Sequence, residues 1–364
     1  ANIAAITKAV IDELIKLGAE PFIFPCMGSH GAATAAGQKQ VLAGYGISEE
    51  TMSVPIRASM NTEIVGYLDD GTPVHMDAQA ANADGIVVIN RIKPHTSFRG
   101  ATESGLTKML AIGIGKINGA ATYHQHGMDM FPTLLPKVRD VNLDQRNVLF
   151  GVGIVENAFD QTAIIEIIPA EQIHEKEPKL QLLAKENMPK LNFSKIDVLI
   201  IEEMGKNISG AGFDPNITGR NRRAVAWKNG LHVKKIVVLG ITPESHGNAT
   251  GIGGADVTTM RLYRDMDLSA TYANVITSMN LDGAAIPIIM NSDRDAIALA
   301  IKTVVRTKPE DCRIVRIKNT LSLGEIHVSE NMIDEVNKSP DLFKIVSGAQ
   351  DWQFDCNNNL HTAA

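Results

Sequence analysis

The sequence predicts an α/β protein: two α/β domains with mostly parallel sheets, meeting at an interdomain cleft. Three observations predict it. A chain of 364 residues suits two domains better than one. The apolar runs GIVVIN, IDVLIIEEM and KKIVVLGIT read as buried strands, each leading into a polar, glycine-containing loop. Segments with apolar residues at helical spacing alternate with the strands, as crossover connections require. The first domain is expected over residues 1–190 plus the tail 323–364, and the second over 195–322.

Taken in order, residues 2–17 carry Ile3, Ile6, Val10, Leu14 and Leu17 at helical spacing, with Gly18 as a stop. PFIFPCM reads as a strand running into Gly28-Ser29-His30-Gly31, with a helix opening near Thr34. TEIVGYLDDGTPVHM reads as a hairpin turning at Asp70-Gly71. GIVVIN then feeds the loop from Asn90. MFPTLLPKVRDV reads as a helix broken by prolines, NVLFGVGIVENAFDQTAIIEIIPAEQI as two strands with a turn at Asn157–Gln161, and Glu171 to Leu191 as a charged helix and connector. IDVLIIEEMG opens the second α/β unit. The tail adds a strand-like piece, a helix over Glu330–Val336 and a last strand near Gln350–Phe354. His75 and His174 read as a packed or edge residue and a solvated one, and His246 as structural, with a substrate loop as the alternative.

Composition narrows the function. Hydrophobic residues make up 44% of the chain and the net charge is -6 without a long basic run, which argues against nucleic acid or an anionic membrane as the main partner. Cys26, Cys312 and Cys356 are few and far apart, so neither a disulfide framework nor a CxxC metal site is expected, and a reducing cytoplasm fits. No apolar run reaches membrane-spanning length. The chain starts at Ala1 on a helical pattern, from which an N-terminal segment of the natural protein is expected to be missing. Oligomeric state is left open, with a homo-oligomer allowed.

The chemistry concentrates between Asn90 and Met128. Lys93, His95, Arg99, Lys108, His124 and His126 crowd there, with Gly100, Gly105, Gly113, Gly115 and Gly119 between them. Lys108 sits in the apolar run GLTKMLAIGIG, where an ammonium is costly unless paired, neutralised or used. A loop of amine and imidazole after a strand is a common ligand site in α/β sheets. His30 lies at a similar strand-to-helix junction. In the second domain the loop KNISGAGFDPNITGRNRRA carries Lys206, Asn207, Ser209, Asn216, Arg220, Arg222 and Arg223, donors suited to an anion.

Together His30, His95, Lys108 and His124 resemble the nickel-dependent lactate racemase family. The family's glycine–hydroxyl–histidine turn is matched by Gly28-Ser29-His30-Gly31-Ala32-Ala33-Thr34. Its second motif is matched by His95-Thr96-Ser97-Phe98-Arg99-Gly100, then Gly105-Leu106-Thr107-Lys108-Met109-Leu110-Ala111-Ile112-Gly113, then His124. The resemblance implies a nickel-pincer pyridinium mononucleotide joined to Lys108 through a thioamide. It implies His124 as the nickel ligand, and His30 and His95 as paired acid/base residues. Imidazole suits Ni, and histidine titrates near neutrality. The implied reaction inverts the α-carbon of a 2-hydroxy acid by hydride transfer, with cofactor-assembly enzymes as further partners. Lys206, Asn216 and Arg220, or Lys93 and Arg99, would anchor the carboxylate. The chain departs from the family pattern by an insertion around Ala101–Ser104, by Leu-Thr before Lys108, by Ala111 in place of a proline and by Gly31 in place of a basic residue. Two other readings remain: a metal-dependent lyase or dehydratase using His124 and His126, and a non-enzymatic binder of a small carboxylate or nucleotide.

Overall fold

The structure, a computed structural model, describes residues 2–220 and 230–361. The chain divides into two units, Ala1–Met188 and Pro189–Ala364. Both combine helices with parallel or mixed sheets, so the protein is α/β.

In the first unit the opening helix spans Ile3–Lys16 and buries Ile11 against Ile47, Met52, Val54 and Ile56. PFIFPCM does not form a regular strand. Pro21 and Pro25 cannot donate to a ladder, and only Ile23 bridges, to Ile56. Thr34 caps the helix Ala35–Gly44 by accepting from Gly37 N at 3.0 Å. Strands β1 (Thr62–Tyr67) and β2 (Pro73–Asp77) pair as the expected hairpin. Strands β3 (Ile86–Arg91), β4 (Val148–Glu156) and β5 (Thr162–Pro169) form a mixed sheet in that order, β3 and β4 parallel, β4 and β5 antiparallel.

The proline-rich segment is one helix, Phe131–Gln145, rather than a broken one. Pro132 lies in the first turn, where its missing N–H costs nothing. Pro136 removes one hydrogen bond from a helix that buries Phe131, Leu134, Leu135 and Val138 in the main core. A second long helix, Ile173–Glu186, packs on β4.

The second unit holds a six-stranded sheet. Its strands are β6 (Lys195–Met204), β7 (His232–Ile241), β8 (Val257–Thr259), β9 (Ile288–Met290), β10 (Ile314–Ile317) and β11 (His327–Val328). The order is β11-β10-β6-β7-β8-β9, parallel except for β11. The tail, expected with the first domain, lies in this unit. β11 pairs with β10, and Trp352, Phe354 and Leu360 pack on the sheet's core. The last strand expected near Gln350–Phe354 reduces to a single bridge, Phe354 to Leu360. Among the described residues no helix is long and apolar enough to cross a membrane.

Candidate active site

The loop leaving β3 closes on itself. Lys93 N donates to Ser104 O at 2.8 Å and Ser104 N to Lys93 O at 3.1 Å, so the inserted residues 101–104 form the return leg of a closed loop. Glu103 fills it. Its carboxylate, 1% exposed, accepts from His95 N at 2.8 Å and Arg99 Nη1 at 2.8 Å, and pairs with Lys185 Nζ at 2.7 Å. The insertion thus supplies the buried anion that holds His95.

Lys108 follows on one helical turn, Leu106–Lys108, that continues as a π-helical turn over Met109–Gly113. Such turns recur at functional sites. The turn is fixed from outside by buried Glu177, which accepts from Thr107 N at 3.0 Å and Thr107 Oγ1 at 2.5 Å. Arg139 Nη1 donates to the same hydroxyl at 3.1 Å. A Cβ at Gly105 would lie 2.2 Å from Glu177 Oε1, so a larger residue there would displace the carboxylate. Burial raises the Glu177 carboxyl above its ordinary range, against the Thr107 bonds and the Arg139 charge.

Lys108 itself has no hydrogen bond or ion pair among the described residues. Burial, and secondarily the charge of Lys93, lower its amine to about 8. His95 is held well below its ordinary value by burial first, then by the charges of Lys108, Lys93, Arg99 and His124. Burial also lowers His124, with Lys108 acting in the same direction and its bond to Ala120 O opposing. The structure therefore brings His95, Lys108 and His124 into one electropositive neighbourhood. Phe98 and Phe131 line it: His95 stacks obliquely on Phe98, Phe98 meets Phe131 edge-on, and Phe131 meets His124 edge-on, with centroids 4.4, 5.5 and 5.1 Å apart.

His30 enters from another direction. Its ring is exposed, but its turn is anchored on the segment that follows Lys108: Gly28 N donates to Gly113 O at 3.0 Å. Gly28 has φ +59°, and a Cβ there would press on Ile112 at 3.3 Å.

The ring nitrogens are distinguishable through their partners. His124 Nδ1 donates to Ala120 O at 2.6 Å and His30 Nδ1 to Met27 O at 2.8 Å, so each neutral ring has its lone pair on Nε2. His95 has the opposite tautomer, because its Nδ1 accepts from Ser97 N at 3.0 Å. For a nickel pincer the residues fit: an unpartnered amine for the tether, and one imidazole oriented through its second nitrogen, as metal-bound histidines usually are.

The second-unit candidates are more dispersed. Lys206 sits in the loop after β6, where β7 and β10 flank the strand on opposite sides and ligands commonly bind. Burial lowers its amine to about 8, and it donates to Asn274 Oδ1 at 2.6 Å and Gly210 O at 2.8 Å. Asn216 Nδ2 donates to Asp214 Oδ1 at 2.8 Å. Arg220 makes a two-pronged pair with Asp256, which also accepts from Ile236 N. Asp256 leads into β8 beside Ile236, five residues before the end of β7, or about 17 Å at ~3.3 Å per residue from the Lys206 edge. Arg222 and Arg223 lie outside the described residues.

Residues 2–132 match the family model of the lactate racemase N-terminal domain. The matched span contains His30, His95, Lys108 and His124. No curated protein matches the sequence. Among solved structures, the lactate racemase apoprotein from Thermoanaerobacterium thermosaccharolyticum is 14% identical with a TM-score of 0.48, covering 87% of this chain and 82% of that one. A structural-genomics protein from Thermotoga maritima is 12% identical with a TM-score of 0.44, covering 88% and 97%.

The sequence pointed to these four residues but not to the anions behind them. Glu177 lies in a helix read as merely charged, and Glu103 lies in the insertion. Neither has a local signature, since their partners are up to 82 positions away in the chain.

Proposed function

We propose that the protein is a racemase or epimerase of a 2-hydroxy acid. Lys108 would tether a nickel-pincer nucleotide and His124 would ligate its metal through Nε2. The observation that carries the reading is the unpartnered Lys108 amine. No carboxylate pairs with it among the described residues, so it stays available for acylation, and the acylated amine no longer bears a charge in apolar surroundings. When bound, the cofactor would accept hydride from the substrate's α-carbon and return it.

The chain's own residues handle the oxygen and the charge. His30, with its lone pair on Nε2, is the resting proton acceptor for the substrate hydroxyl. His95, with its proton on Nε2, is the complementary hydrogen-bond donor, and the positive surroundings oppose a second proton on it. Lys93 lends those surroundings a charge that suits the substrate carboxylate. In the second unit, neutral oxygens hold Lys206, whereas Arg220 is already paired with Asp256.

A metal-dependent lyase built on His124 and His126 has less support. His126 Nε2 bonds Thr72 Oγ1 at 3.3 Å, and among the described residues no three His, Cys, Asp or Glu side chains gather as a metal cage.

The test is the intact mass of protein co-expressed with cofactor-assembly enzymes, followed by a screen of 2-hydroxy acids for inversion. A mass increment on Lys108, absent from Lys108→Met, is expected. Metal without an increment would favour the lyase. His30→Ala and His95→Ala should keep the increment and lose inversion by roughly 100-fold or more; normal turnover in either removes that residue from the pair.

A further inference from the structure

The segment around Lys108 contains a second lysine. Lys116 is 0% exposed and backbone-constrained at φ +53°. Its ammonium has partners in three different parts of the chain. Lys116 Nζ pairs with Asp77 Oδ2 at 2.8 Å, donates to Gln38 Oε1 at 3.0 Å and donates to Pro25 O. Asp77 is also fully buried. Its N–H donates to Ile114 O at 2.7 Å, and its Oδ1 caps the short helix Ala78–Ala81 through Gln79 N.

Gln38 is the informative member. An ammonium only donates, so the Gln38 carbonyl oxygen must face Lys116. The Gln38 amide NH₂ is thereby forced toward the His30 turn. It donates to Gly28 O at 2.8 Å and to His30 O at 3.3 Å. The ammonium and the two carbonyls select the same orientation, with the amide oxygen on Lys116 and the NH₂ on the turn. The turn in turn rests on Gly113, Ile112 and Ala120, and Ala120 O is the acceptor for His124 Nδ1.

We propose that Lys116 and Gln38 are positioning residues: a buried ammonium orients an amide that locks the His30 turn in register with the Lys108–His124 segment. The inference rests on the reading of His30 as a proton acceptor. It explains why a fully buried ion pair is retained where apolar packing would serve stability as well, since such pairs commonly specify register.

The test uses Gln38→Glu in the full chain. The substitution is nearly isosteric and keeps an acceptor for Lys116, but replaces the NH₂ with an oxygen that repels both carbonyls. Hydrogen exchange of the amides between Gly28 and Thr34 should speed about tenfold while β3 and β4 are unchanged. In the cofactor-loaded protein the Lys108 mass increment should persist, kcat should fall about 100-fold and KM should move less than threefold, as a misplaced catalytic group predicts. The double variant Lys116→Met/Asp77→Leu replaces the ion pair with apolar bulk and should show the same local exchange change, so the test survives if Gln38→Glu does not fold. Unchanged exchange at 28–34 in the folded variants, or a uniform rise across the first unit, overturns the proposal. A wild-type protein that carries no adduct and inverts no 2-hydroxy acid overturns the functional reading instead, and the exchange pattern still decides whether the amide locks the turn.

Discussion

Lys108 and Lys116 stand eight residues apart in one glycine-rich apolar segment, and the protein treats them oppositely. Lys116 is sealed from solvent and given a carboxylate, an amide oxygen and a carbonyl. Lys108 is half-buried, has none of these among the described residues, and has positive Lys93 as its charged neighbour. The buried carboxylates of Glu103 and Glu177 serve other groups, one Arg99, Lys185 and the His95 amide, the other Thr107. Burial alone therefore does not mark a functional lysine. The mark is a buried amine left unsatisfied.

The largest effect that could break this contrast is on stability. Lys116→Met leaves Asp77 as an uncompensated buried carboxylate and should cost about 3–5 kcal/mol. Lys108→Met removes an amine with no partner and should cost under about 1 kcal/mol, or stabilise slightly. Urea unfolding of the two variants side by side decides the matter. Similar losses would mean that Lys108 has a structural partner after all.

The next effect separates the anions that serve the site from the one that serves the core. Glu177→Ala leaves Thr107 N without its acceptor and opens a cavity, for about 2 kcal/mol by the usual cost of a lost buried bond. It should also lower adduct formation at Lys108, whose turn it anchors. Asp77→Asn should cost stability while its effect on catalysis runs through His30 rather than through the adduct. An unchanged adduct yield in Glu177→Ala would show that the turn keeps its shape without the carboxylate.

The contrast between the two lysines was half legible in the sequence. Apolar neighbours, glycines and a preceding strand single out Lys108, but the run AIGIGKINGA gives Lys116 the same local signal. What distinguishes them is the identity of partners far away in the chain. Pro25 and Gln38 are 91 and 78 residues from Lys116. The fold divides along the same line. The hairpin, β3 to β7 and the helix Ala35–Gly44 follow from alternation, apolar runs and a threonine cap, which are local. The continuity of Phe131–Gln145 across Pro136 and the docking of the tail on the second unit are settled by burial, which is not.

The smallest effect is the most specific, and it concerns pH. Lys108 and Lys206 both have amines lowered to about 8 from 10.5, one in each unit. A lysine depressed in the fold binds fewer protons folded than unfolded between those values, so stability rises as pH climbs from about 8 toward 10.5. Lys108→Met and Lys206→Met should each flatten part of that rise. Competitive amine acylation followed by peptide mass then distinguishes the two sites. Burial is the main cause at Lys108 and Lys93 the second, whereas burial alone acts at Lys206. In Lys93→Met the labelling midpoint of Lys108 should therefore move up from about 8 but stop short of 10.5, while that of Lys206 stays in place. A Lys108 midpoint that ignores Lys93 would assign its reactivity to desolvation alone, and would remove Lys93 from the charges that act on the amine.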